Sequence, residues 1–326
     1  MNRKTTFALG LLLVTAARPA PVAADPVPTR LVAGLEGASG STVGPDGALY
    51  VTEGAAGRIS RVDPRTGQVT TFASGLPRSI IGFGGPTDIA FIGDTAYVIV
   101  TLVGAQFGGS DISGVYRLDG PASFTVIADI GAFARANPPD TPFGGLEGLQ
   151  YAMEPYPGGF LVTDGHHNRV LHVRLNGRVS EFMTFGNVVP TGLELLGPIV
   201  LMAEAGPLPH LPMDGKIVAF GPGASRAITL GSGAPLIVDV EFGPFFRLFG
   251  LSQGHFTPGN PEGSPADPNT GSLVELKADG RFRVVVDGLN QPTSLEFIGD
   301  TAYVVTLGGE IWKIEDVGRP SFGGRH

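Results

Sequence analysis

The sequence predicts an all-β fold: a six-bladed β-propeller with four antiparallel strands per blade, its ring closed by an N-terminal strand that completes the last blade. Three observations carry this prediction. The octapeptide "FIGDTAYV" stands at residues 91–98 and again at 297–304, and self-similarity of this kind marks a repeat architecture. The frame that holds it returns along the whole chain. The two ends are complementary, because the last repeat lacks a strand that the N-terminal segment has to spare.

The first copy belongs to "GGPTDIAFIGDTAYVIVT" from residue 84 and the second to "NQPTSLEFIGDTAYVVT" from residue 290. Four more frames fit: "GASGSTVGPDGALYVTEG" from 37, "GGLEGLQYAMEPYPGGFLVTDG" from 144, "VVPTGLELLGPIVLMAEAG" from 188 and "PLIVDVEFGPFFRLFGLSQG" from 235. In each, an alternating apolar segment, a turn rich in Gly or Pro and a second alternating segment make a hairpin signature. Two further strands follow in most copies, as in "RISRV" then "VTTFASGL", or "RVLHV" then "VSEFMTF". Four strands every roughly 45–60 residues is the period of a propeller blade.

The sixth frame stops after three strands, at "EIWKIEDV" from residue 310. "TRLVAGLEGAS" from residue 29 matches "FRVVVDGLNQPTS" from residue 282 and supplies the missing outer strand. Closing the ring in this way leaves no unpaired half-blade edge.

Composition agrees with a large folded domain. The 326 residues are 42% hydrophobic and 16% charged, and 50 glycines and 28 prolines punctuate short apolar runs without a collagen-like triplet. Residues 1–24 read as a signal peptide: Arg3 and Lys4, an apolar run too short to span a bilayer, then "PVAAD" with small residues before a cut at Asp25. The propeller domain then occupies residues 25–317, and 318–326 reads as a flexible tail. The expected location is secreted or periplasmic, with no transmembrane anchor. Removing Arg3, Lys4 and Arg18 takes the formal charge from −8 to −11, so nucleic acid is not an expected partner. Cysteine is absent, which excludes disulfides and thiolate chemistry.

When strands run outward from the axis, the loops joining second to third strands and blade to blade share one face. The long insertions, such as those from residues 103, 131, 204 and 252, all fall there, whereas turns such as "GPDG" at 44 and "IGDT" at 92 on the other face are tight. Long loops in a compact fold usually carry function. The residues expected around the channel mouth on that face are Ser39, Thr87, Glu147, Thr191 and Thr293 from first-strand starts, with Val238 the apolar exception, and Glu53, Thr101, Asp164, Glu204 and Gln253 from second-strand ends. "TDGHHNR" adds His166, His167 and Asn168, and the loops add His210 and His255.

Of these, Glu53, Thr87, Glu147, Asp164, His166, Asn168, Thr191, Glu204, Gln253, His255 and Thr293 form the expected ligand-binding set. Glu53, Asp164 and Glu204 are the candidate metal ligands for Ca²⁺ or Mg²⁺ through oxygen atoms. Such an ion would polarise a carbonyl or activate a water, with a histidine as general base. The bland alternative is that polar side chains line any water-filled opening, and no dense ligand motif of the Ca²⁺-loop or "HExxH" kind is present. Gln150, Glu194, Glu241 and Glu296 recur along the first strands and read as structural, hydrogen-bonded between neighbours. Gly-x-Ser-x-Gly, phosphate-loop and dinucleotide motifs are all missing.

"VVPTGLEL" at 188, "FLVTDGHHNRVLHV" at 160, "MAEAGPLPHLPMDGKIVAF" at 202 and "GSLVELKADGRFRVVVDGLNQPTSLEF" at 271 resemble the ScyD/ScyE family of exported propellers, over about residues 29–317. The resemblance implies a six-bladed ring, export and a namesake association with the scytonemin pigment pathway. It carries no catalytic set across. This chain departs from the pattern where "IGDT" replaces "GPDG" and where "HH" fills a usually small position. Two functions follow as expectations: a propeller that binds a small molecule or partner protein on its elaborated face, or a metal-assisted lactonase- or esterase-like hydrolase or lyase at the channel mouth.

Overall fold

The structure, a computed structural model, describes residues 26–141, 145–261 and 263–318. The expected signal peptide and the tail from residue 319 lie outside the described residues. Six four-stranded antiparallel sheets form the six blades. Strand β1 (Thr29–Val32) comes first in the chain and belongs to the last blade. Blade one is β2 (Ala38–Val43), β3 (Leu49–Glu53), β4 (Arg58–Val62) and β5 (Val69–Ser74). Blade two is β6 (Gly85–Ile92), β7 (Thr95–Thr101), β8 (Gly114–Gly120) and β9 (Ser123–Asp129), followed by the helix α1 (Ile130–Ala136). Blade three is β10 (Gln150–Tyr156), β11 (Gly159–Asp164), β12 (Arg169–Arg174) and β13 (Val179–Thr184). Blade four is β14 (Pro190–Leu196), β15 (Ile199–Glu204), β16 (Lys216–Phe220) and β17 (Ile228–Ser232). Blade five is β18 (Ile237–Phe242), β19 (Leu248–Ser252), β20 (Gly271–Leu276) and β21 (Phe282–Leu289). Blade six is β22 (Pro292–Ile298), β23 (Thr301–Thr306) and β24 (Ile311–Ile314), with β1 outermost.

Alternation explains how the blades stack. In β7, Val98 and Val100 pack toward blade one with Tyr50 and Ile59, while Tyr97 and Ile99 pack toward blade three with Phe160 and Leu171. Successive side chains of a strand point to opposite faces, so a middle strand that is apolar throughout serves two neighbours. The same arrangement gives apolar layers between blades three and four, four and five, and five and six. The layer between blades six and one joins Val32, Leu35, Leu49 and Val51 to Tyr303, Val305 and Ile311.

Closure is made by β1, whose Thr29, Arg30 and Val32 pair with Lys313, Trp312 and Ile311 of β24. The Leu35 N–H adds a bond to the Gly309 carbonyl at 3.0 Å, and Arg30 pairs with Glu310 at 2.9 Å. The inner strands share a second feature. All six carry a register irregularity near their start, at Ala38/Ser41, Pro86/Asp88, Gln150/Met153, Pro190/Leu193, Ile237/Asp239 and Pro292/Ser294. A bulge breaks strict alternation and re-aims the side chains next to it. Among the described residues no helix is long and apolar enough to cross a membrane.

Deleting residues 29–35 should expose the edge of β24 and open the apolar layer at the seam. The expected outcome is a melting temperature lower by roughly 5 °C or more, read by scanning calorimetry; an unchanged melt would contradict the closure role.

Candidate functional site

The inner strands enclose a cavity of about 920 Å³. Its wall is the inner strands themselves, and its rim is built from blade-to-blade and second-to-third-strand loops, including Ile81, Phe83, His166, Leu208, His210 and Leu307. The tight turns of the opposite face contribute nothing to it. The cavity therefore opens on the elaborated face.

Five expected ligand residues line it: Thr87, His166, Thr191, Gln253 and Thr293. The threonine hydroxyls already join blades, since each donates to a carbonyl of the next blade: Thr87 to Gln150 at 3.2 Å, Thr191 to Ile237 at 2.8 Å and Thr293 to Ser39 at 2.8 Å. Gln253 accepts the Ala266 N–H at 3.0 Å, and Gln291 donates to the Ala266 carbonyl at 2.6 Å. The two glutamines thus hold the long loop after β19 against the rim, where Phe256 packs with Ala205, Leu236 and Ala266. The adjacent imidazoles diverge, His166 to the cavity and His167 into the interior of blade three.

The other six expected residues are placed elsewhere. Glu53 and Asp164 end second strands and pair across the ladder with Arg58 and Arg169, the first residues of the third strands. Arg58 grips Glu53 with two bonds of 2.8 and 2.7 Å, and the Glu36 N–H adds a third of 2.6 Å. Burial pushes Glu53 up, but Arg58, Ser60 and the Glu36 N–H together outweigh it and hold the carboxyl below its usual range. Asp164 accepts from Arg169 Nε and the Leu149 N–H, both at 3.1 Å. Arg169, wholly buried, also donates to Glu181 and the Asn137 carbonyl, meets His167 Nδ1 at 2.9 Å, and lies 5.3 Å from the Phe133 ring centre.

Glu204 holds the equivalent place in blade four, opposite Lys216. It is 4% exposed and accepts no hydrogen bond from the described residues. Burial raises its pKa to about 7, with Lys216 pulling the other way. Glu53, Asp164 and Glu204 are therefore not brought together, each facing its own blade's third strand, and among the described residues no group of three or more carboxylates and imidazoles is spaced to hold a metal ion.

Glu147 precedes β10 rather than opening it, and bonds to Ser113 at 2.8 Å and to Arg135, away from the cavity. Tyr151 takes the lining place instead. Asn168, at φ 52°, accepts the Val188 and Val189 N–H groups at 2.9 Å each and shapes the connection into blade four. His255 is exposed in the long loop and does not line the cavity, and its backbone N–H donates to the Thr270 hydroxyl at 2.9 Å.

Deeper in the shaft the lining is acidic in a way the expected set missed. Asp88, Glu154, Asp239, Glu241 and Glu296 line the cavity, and among the described residues no lysine or arginine does. Asp88 and Asp239 stitch blades: each accepts a neighbouring blade's N–H at 2.7 Å, from Met153 and Leu295. Gly40 and Gly192 of the preceding blades lie so close that a Cβ would strike these carboxylates. Glu194 likewise accepts the Leu195 N–H at 2.7 Å and the Phe242 N–H at 3.3 Å, as its structural reading requires.

Glu241 and Glu296, also read as structural, accept no hydrogen bond from the described residues, and neither does Glu154. Burial raises all three well above the usual carboxylate range, and mutual repulsion adds to it: Glu194 acts on Glu154, Glu296 on Glu241, and Asp239 on Glu296. Burial likewise raises Asp88, and Asp239 to about 7, against the pull of their backbone donors. The signal for this layer was a constant offset: Glu194, Glu241 and Glu296 each stand three residues after Thr191, Val238 and Thr293.

No protein-family model matches the chain, and no curated protein matches its sequence. Solved structures do match in fold. An aldose sugar dehydrogenase from Streptomyces coelicolor, solved with bound PQQ, superposes with a TM-score of 0.61 at 13% identity, covering 90% of this chain and 99% of that one. A gluconolactonase from Xanthomonas campestris gives 0.61 at 10% identity, covering 89% of each chain. Virginiamycin B lyase from Staphylococcus aureus gives 0.55 at 13%, covering 89% of this chain and 98% of that one. At such identities the likeness establishes the six-bladed propeller and nothing about activity.

Two outcomes follow for stability. Arg169→Met leaves Asp164 buried without its cation and should cost roughly 3–5 kcal/mol in urea unfolding, more than Arg58→Met, because the Arg58 side chain is 31% exposed. An equal loss for both would contradict the buried network. Glu204, with a folded pKa of about 7 against the ordinary glutamate value of 4.5, binds its proton more tightly when folded, so its contribution is complete below 4.5 and declines as pH rises toward 7. The loss is up to roughly 3 kcal/mol. Glu204→Gln should therefore raise the melting temperature at pH 8 more than at pH 5; a gain equal at both pH values would refute it.

Proposed function

We propose that this chain is an exported, secreted or periplasmic, binding propeller of the ScyD/ScyE type, and that its loop-bearing face takes up a small molecule in the mouth of the central channel. One observation carries the reading: a cavity of about 920 Å³ has its rim built from the loops of the elaborated face. That volume lies within the range of small-molecule sites, which combine apolar walls with a few convergent polar groups. Here the apolar contribution comes from Ile81, Phe83, Leu208 and Leu307, and the polar groups are His166, His210 and the shaft carboxylates. Family membership rests on the Pro-Thr-Gly start of blade four and the Pro-rich loop after Glu204. The metal-assisted hydrolase or lyase has less support, since Glu53 and Asp164 spend their oxygens on arginines.

A thermal-shift screen of metabolite-sized compounds tests the site. Ligands that stabilise the protein should lose their effect in the cavity variants Tyr151→Ala and Leu307→Trp. They should keep it in Phe245→Ser, on the opposite face, where that ring is 82% exposed. Stabilisation that survives both cavity changes would place the binding elsewhere.

A further inference from the structure

The charge of the cavity restricts what it can hold. Among the described residues its lining contains five carboxylates and neither lysine nor arginine. Two of the five, Asp88 and Asp239, are occupied with backbone N–H groups of neighbouring blades. Glu154, Glu241 and Glu296 take no hydrogen bond from any described residue, although they lie within the ring of inner strands. All three are half-buried and line the cavity, so a ligand held there can reach them.

A directly ligated metal ion fits this set poorly, since no group of three or more carboxylates and imidazoles among the described residues has the spacing to hold one. An organic ammonium does not need convergent first-sphere oxygens; it needs donors and a negative field. The rim adds a second, independent requirement. Ile81, Phe83, Leu208 and Leu307, from three separate loops, are 45%, 42%, 43% and 38% exposed around the opening. Apolar side chains gathered at the edge of a cavity mark a surface that is covered when the site is filled. The three residues from Thr293 at the mouth to Glu296 in the shaft span roughly 10 Å of strand.

Resting on the reading of the cavity as a small-molecule site, we propose that its ligand is an amphipathic organic cation, with an apolar body on the rim and an ammonium group carried down the shaft to Glu154, Glu241 and Glu296. Binding would exchange repulsion among the carboxylates for attraction to the ammonium. Anionic ligands of the same size are excluded by the same field.

Calorimetric titration of the purified protein with n-octylammonium, n-octanol and n-octanoate separates charge from apolar fit, because the three share one chain length. Octylammonium should bind at least about tenfold more tightly than octanol, octanoate should give no heat, and added salt should weaken only the ammonium. Glu241→Gln with Glu296→Gln should abolish the ammonium preference and leave octanol affinity unchanged. Should that pair not fold, Glu154→Gln alone should reduce the preference. Octanol binding as tightly as octylammonium would overturn the ligand class and leave the cavity reading standing. An ammonium preference untouched by the glutamine variants would place the cation elsewhere and overturn it as well. Absence of binding by all three probes would count against both.

Discussion

The ladder between β1 and β24 is the interaction on which the rest of the molecule depends. It joins segments 284 residues apart, as the Thr29 hydroxyl bonded to the Lys313 carbonyl illustrates, and it turns a row of sheets into a ring. Across the same seam the Ser41 and Ser294 hydroxyls meet at 2.9 Å, and Thr293 donates to the Ser39 carbonyl. The first and last inner strands are neighbours at the channel only because the outer edge of the sixth sheet is filled. Without a closed ring there is no enclosed shaft, and residues from blades two to six have no common centre.

Two populations of carboxylate coexist around that centre. Those at second-strand ends, Glu53 and Asp164, meet a guanidinium from the adjoining strand and strengthen their blades. Glu275, in β20 of blade five, follows the same rule on a larger scale, with Arg247, Lys277 and Arg283 gathered on it. Those in the shaft have no such counter-charge and raise one another's proton affinity. The apolar layers between blades supply the burial that offsets this repulsion.

The architecture was legible because period-two alternation, hairpin turns and a missing strand are properties of residue order alone. The cavity wall was legible in part. Thr87, Thr191, Thr293, Gln253 and His166 line it, since loop and strand-end positions follow from topology. Side-chain direction does not follow once a bulge intervenes. The repeat frame starts the first strand of blade three at Glu147, whereas β10 begins at Gln150 and Tyr151 takes the wall. The fate of Glu53 and Asp164 was written five residues downstream in Arg58 and Arg169, but a partner at that distance becomes visible only when the intervening turn folds. Glu241 and Glu296 were expected to be bonded like Glu194, and nothing local distinguishes a glutamate that finds an N–H from one that does not.

The bulge repeated at the head of every inner strand lets one short stretch serve two directions at once. Leu193 packs between blades and also lines the cavity, and Thr191 and Asp239 line it while bonding a neighbouring blade. The lining of the shaft is thus also the mortar of the ring. A substitution there changes wall and stacking together.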